Sequence, residues 1–138
     1  MRLYAFRDSS PFLKGGSGGI LMKINFIYMT VGSKEEARKI GQELVTAGLA
    51  ACVNILDNMN SFYVWEGELQ DDTEVVMIAK TTEDRVADLI KKVEALHSYD
   101  CPCIVSLPVA GGHQPFLDWI AGEVTKPGGQ KAGMPGSL

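Results

Sequence analysis

Twice in this chain an apolar run is followed by a bracketed helical segment and then by a second apolar run. That repetition limits the folds open to it. The first unit begins with INFIYMTV (24–31), whose β-branched and aromatic members read as a buried strand. SKEE follows, a capping box with Ser33 as N-cap and Glu36 three positions on. Ala37, Ile40, Leu44 and Val45 then recur at helical spacing, and Gly48 stands where a helix should end. LAACVNIL (49–56) is the second strand, predicted to run parallel to the first. The second unit comprises TEVVMIAKT (73–81), a helix over TTEDRVADLIKKVEALH (81–97) capped by Thr81 or Thr82, and CIVSLP (103–108). Its buried helical face reads Val86, Ile90, Val93 and His97, with Leu89 flanking. Two βαβ units in series predict an α+β, ferredoxin-like βαββαβ sandwich, an antiparallel sheet with helices on one face. QPFLDWIAGEV (114–124) adds a short C-terminal helix, with Pro115 in its first turn and Phe116, Trp119 and Ile120 turned inward.

Between the two units lies NMNSFYVWEGELQDDT (58–73), an extended β-hairpin. On its first strand Phe62 and Val64 point to one face while Tyr63 and Trp65 point to the other. A ribbon apolar on both sides needs cover that a sheet with helices on one side does not provide. Either another copy of the chain supplies it, or the C-terminal helix lies across it. Self-association is the expectation.

Composition narrows the function classes. The chain has 138 residues, enough for one domain with a real core. That domain is read as 23–124, between a leader or expression-derived segment at 1–22, broken by GGSGG, and a flexible Gly/Pro-rich tail at 125–138. No apolar run approaches the roughly 20 residues that span a bilayer, so membrane insertion is not expected. Three cysteines, an odd number, argue for a reducing compartment, and a cytoplasmic location is expected, with organelle targeting by residues 1–22 left open. Residues 23–124 carry 16 acidic against 8 basic side chains, a poor surface for nucleic acid.

ACVNI, SFYVWEGEL, EVVMIAKTT, HSYDCPCIVSLPV and FLDWI occur in the order and spacing of the CutA family, the divalent-ion tolerance proteins. The chain resembles that family from Ile24 to Val124. The resemblance implies a ferredoxin-like subunit with an extended hairpin, assembled as a homotrimer through edge strands. It also implies a role in tolerance of copper and other divalent ions, with ion binding in several members. Animal relatives are associated with anchoring of a membrane-bound esterase. A likeness to PII signalling trimers implies small-molecule sensing as an alternative, and a protein-interaction trimer without metal dependence is another.

The family's ion sites use a histidine at the position of His97, a cysteine where this chain has Met29, and a glutamate where it has Cys103. Ser98 also stands in place of the family's proline. Cys101 and Cys103 flank Pro102 at i and i+2, so both sulfurs could face one ion. With His97 or Met29 beside them, the donors suit Cu(I) or Zn(II) better than Mg or Ca. Copper or zinc is therefore the expected ion, and no organic cofactor is expected. Plain packing of the thiols and a helix-ending role for His97 stay open beside that reading, and Cys52 reads as core. A second constellation, Tyr63, Trp65, Glu66, Lys80 and Tyr99, would line an intersubunit cleft for a small anionic ligand, or Lys80 and Glu66 would form a structural salt bridge between subunits.

Catalysis has little support. The sequence shows no Ser–His–Asp or Cys–His–Asn signature and no phosphate loop, and GGH at 111–113 is too short to hold a nucleotide alone. Lys34 is the sole basic residue after the first strand where an acylphosphatase would need arginine. A thiol activity at Cys101 or Cys103 is the one enzymatic option, and the chain is read as a non-enzyme.

Overall fold

The computed structural model describes residues 22–126 and 130–131, with side chains through 124. In chain order the elements are β1 (Ile24–Val31), α1 (Lys34–Thr46), β2 (Cys52–Trp65), β3 (Glu68–Thr82), a 3-10 turn (Glu83–Arg85), α2 (Val86–Leu96), β4 (Ile104–Pro108), α3 (Gln114–Glu123), β5 (Thr125–Lys126) and β6 (Gln130–Lys131). The four long strands form one sheet in the order β2-β3-β1-β4, and every pairing is antiparallel. β1 and β2 thus run the same way, as the first βαβ unit predicts, but β3 lies between them. β5 and β6 pair with each other inside a stretch expected to be a featureless tail.

The termini of α1 follow the local code. The Ser33 hydroxyl accepts the Glu36 amide at 3.1 Å. Gly48 takes φ 74°, and the Gly48 and Leu49 amides donate back to Val45 and Leu44, a Schellman closure that spares a β-carbon from the left-handed region. The reciprocal half of the expected capping box does not form. The Glu36 carboxylate instead accepts two hydrogen bonds from Ser98, at 2.8 Å from its amide and 3.0 Å from its hydroxyl. A partner offering two donors draws the side chain away from its own helix. In the second unit, the segment from Glu83 starts as a 3-10 turn, and Thr82 makes no side-chain cap to it. The buried stripe of α2 is Leu89 and Val93, with Val86 and Ile90 half-buried, a rotation of the predicted face by about one residue.

Side-chain alternation divides the sheet into two faces. Ile27, Met29, Val31, Val75, Met77 and Ala79 point toward α1 and α2 and form the main core with Ile40, Leu44, Leu89 and Val93. The opposite face carries Ile24, Phe26, Tyr28, Val76, Ile78, Leu56, Val105 and Leu107. α3 covers one end of it through Ile120, Phe116 and Trp119, packed on Ile24 and Phe26. Beyond that end Leu56 is 56% exposed, Val105 46% and Leu107 49%. The ribbon is barer still. Phe62, Val64 and Leu69 lie on one side and Tyr63 and Trp65 on the other, and all are exposed. α3 therefore does not cover the ribbon. It docks at the opposite end of the sheet, because its apolar stripe meets Ile24 and Ala51 there.

Candidate functional site

Two groups of polar side chains stand out, and they share Tyr99. The first is the corner after α2. The His97 amide closes α2 by donating to Val93, and its side chain, with no exposed surface, turns across to β1. Nε2 lies 2.8 Å from the Thr30 carbonyl, and Nδ1 accepts the Tyr99 amide at 3.0 Å. With the Tyr99 amide donating to Nδ1, Nε2 is the ring nitrogen placed to donate to the Thr30 carbonyl. The Glu36 carboxylate waits 3.6 Å from Nδ1, held by Ser98. Both ring nitrogens are thus committed to main-chain groups. The helix-end role read from the sequence is met differently, since the ring bonds a strand carbonyl and not the last carbonyls of α2.

The other expected ion donors diverge. Met29 is fully buried on the helix-covered face. Ile104 pairs with Met29, and the Thr30 amide donates to the Cys103 carbonyl, so Cys103 is one step out of phase with Met29. Cys103 stands just ahead of β4 (Ile104–Pro108), whereas Met29 lies within β1 beneath the helices. Cys101 is exposed and Cys103 half-buried, and both are free thiols. Among the described residues no three His, Cys, Asp or Glu side chains gather into a metal-holding group.

The second group lies on the ribbon. Ser61 and Tyr99 both donate to Glu74, at 2.8 and 3.1 Å, and Tyr63 donates to Asp72. Register puts Ser61, Tyr63, Asp72 and Glu74 on one face of the β2–β3 pair. Burial, the hydrogen bond to Glu74 and the nearby carboxylates push the Tyr99 phenol up to about 12. The Tyr63 phenol is also raised, chiefly by its bond to Asp72. Tyr99 lies close over Gly32, where an added β-carbon would sit 3.3 Å from its hydroxyl. Tyr99 therefore ties the corner to the ribbon.

Of the predicted cleft residues, Tyr99 bonds Glu74 and Tyr63 bonds Asp72 on the same face of the ribbon, while Trp65 and Glu66 lie further out at the turn. Lys80 is elsewhere. It pairs across the sheet with Cys52, and its ammonium lies 5.5 Å from the Phe26 ring centre and 5.3 Å from that of Phe116. Twelve register steps separate it from Glu68 beside the turn, roughly 40 Å at about 3.3 Å per residue. The Lys80–Glu66 salt bridge does not form within one chain, and a cleft joining them needs two. Cys52, read as core, is half-buried, and burial raises its thiol while Lys80 opposes the shift. Glu36, Ser61, Asp72 and Glu74 were not singled out as site residues. The available signal was two acids, Asp72 and Glu74, bracketing the entry to an apolar strand.

The CutA1 divalent ion tolerance protein family matches residues 25–123. A divalent-cation tolerance protein CutA of Archaeoglobus fulgidus is 47% identical over 96 residues, covering 70% of this chain and 93% of that one. A solved structure of the periplasmic divalent cation tolerance protein CutA from Archaeoglobus fulgidus aligns with a TM-score of 0.67 at 46% identity over 70% of this chain and 94% of that one. CutA1 from Oryza sativa aligns with a TM-score of 0.75 at 34% identity, covering 78% and 98%. With the matched span running from β1 to the end of α3, the chain belongs to the CutA1 divalent ion tolerance protein family.

Proposed function

We propose that this chain acts as a homotrimer in divalent-cation tolerance and binds soft ions, Cu(I) or Zn(II), through Cys101 and Cys103. The role itself is the one named for its relatives. The observation that carries the reading is the uncovered apolar surface, with Leu56, Val105 and Leu107 on the sheet and Phe62, Val64, Trp65 and Leu69 on the ribbon. Apolar side chains bared on the sheet and on both sides of the ribbon are costly in water, and the described helices cover other surfaces. The strand order β2-β3-β1-β4 is that expected of a ferredoxin-like subunit, which leaves β2 and β4 as free edges for neighbouring copies.

Ion binding is assigned to the thiols because they are free, and because Met29 and His97 are engaged elsewhere. Thiolate pairs select soft ions. Free thiols also favour a reducing compartment, and the cytoplasm is our working assignment. Light scattering of the purified protein should give three times the chain mass. Cu(I) titration against a competing chelator should then show affinity lost in Cys101→Ser/Cys103→Ser. Unchanged affinity in that variant would remove the thiol assignment, and a single-chain mass would remove the assembly.

A further inference from the structure

GGH at 111–113 is not accounted for by the fold or by the thiol corner. All three residues are exposed in the connection from β4 to α3. Among the described residues nothing accepts the amide protons of Gly111, Gly112 or His113. The His113 imidazole makes no capping bond to the helix it precedes. The chain has two histidines, and the other is buried with both ring nitrogens engaged. His113 is thus the imidazole open to an outside ligand.

The glycines lack a structural reason. Neither adopts positive φ, which among the described glycines is confined to Gly48 and Gly67. A β-carbon at Gly111 would meet nothing within 4 Å, and one at Gly112 would touch Leu117 at an ordinary 3.8 Å. What two glycines ahead of a histidine do provide is unshielded main-chain nitrogen next to an imidazole anchor.

We propose that His113 and the preceding main chain form a Cu(II) or Ni(II) site separate from the thiol corner. The His113 Nδ1 lone pair binds the ion first. The amide nitrogens of His113 and Gly112 then each release a proton to solvent and bond to the metal, closing successive chelate rings through the α-carbons. A further amide or a water completes a planar set. Planar nitrogen donors suit Cu(II) and Ni(II), whereas Zn(II) has no ligand-field preference for them. Two amidates cancel the ion's charge, and their negative charge sits just ahead of α3, where the helix dipole favours it. The His113 carbonyl accepts the Phe116 and Leu117 amides and so stays with the helix, leaving its amide side to the ion.

The test uses the full chain in a Cys101→Ser/Cys103→Ser background, which removes the corner thiols as reductants of Cu(II) and makes the result independent of the corner assignment. Cu(II), and redox-inert Ni(II) in parallel, are added from a weak competing chelator, and visible circular dichroism follows the metal's d–d bands. Amidate bands should appear, fade as pH falls and the amides regain their protons, and persist in Gly112→Ala, which keeps the amide. They should vanish in His113→Ala and in Gly112→Pro, which removes the N–H. Far-ultraviolet spectra check that each variant is folded. Bands that survive in His113→Ala or Gly112→Pro, or that never appear in the background protein, overturn the proposal.

Discussion

Replacing His97 with alanine separates a positioning role from a ligand role. The ring has no exposed surface, donates to the Thr30 carbonyl at 2.8 Å and accepts the Tyr99 amide at 3.0 Å. Truncation orphans both groups. Thr30 is buried, so its carbonyl bears most of the desolvation cost, about 1–3 kcal/mol. Tyr99 is 38% exposed, so water reaches its amide and the loss there is nearer about 1 kcal/mol. With the lost ring packing, the expected destabilisation is about 2–4 kcal/mol. Chemical denaturation at matched protein concentration measures it, since the proposed assembly would make stability depend on concentration. His97→Gln, whose amide can still donate to Thr30, should recover part of the loss. Cu(I) affinity, titrated in parallel, should change little in either variant. A destabilisation below about 1 kcal/mol accompanied by loss of Cu(I) binding would refute the reasoning and make His97 a ligand.

Three further outcomes are expected. The Tyr99 phenol is raised from 10.0 to about 12 in the folded chain, so its stabilising effect is complete below about 10 and is lost as pH rises toward 12. Tyr99→Phe should flatten that part of the alkaline stability profile, leaving the smaller slope from Tyr63 and Cys52, whose groups are also raised. Gly48→Ala forces a β-carbon into φ 74° and should cost about 1 kcal/mol in denaturant unfolding with no change in assembled mass. Leu56→Lys or Leu107→Lys puts a charge on the uncovered face, and each should reduce the mass seen by light scattering.

Local codes were legible where they act over a few residues. Ser33 and Gly48 bracketed α1, and the apolar runs marked β1, the inner halves of β2 and β3, and β4. The ribbon was read as a hairpin without its turn being placed; the chain reverses at Glu66–Gly67, with φ 53° and 80°. The corner was less legible because its partners are far apart in sequence. Glu36 reads as a capping-box acid, and nothing nearby reveals that Ser98 will claim it from 62 positions away. Met29 was grouped with Cys101, Cys103 and His97 as a donor, and nothing in its own apolar strand reveals that its side chain will be fully buried in the main core. Lys80 was joined to Glu66 as a charge in need of a partner, when cation–π contact with Phe26 and Phe116 meets part of that need inside the chain.

The same geometry couples the proposed assembly to the corner. Tyr99 is held from one side by the His97 ring, 4.7 Å between centres, and from the other by Glu74 on the ribbon. The ribbon is a two-stranded extension, and two strands with exposed faces are marginal in water unless something packs on them. Neighbouring copies seated on the ribbon would order Glu74, and Glu74 would fix Tyr99, whose amide donates to the His97 ring. On this reading the corner carrying Cys101 and Cys103 takes its final form only in the assembled protein. Backbone hydrogen exchange at Tyr99 should therefore be slow in wild type and accelerate in Leu107→Lys, although Leu107 lies on β4, across β1 from the ribbon strands. Exchange at Tyr99 that ignores the oligomeric state would uncouple the two.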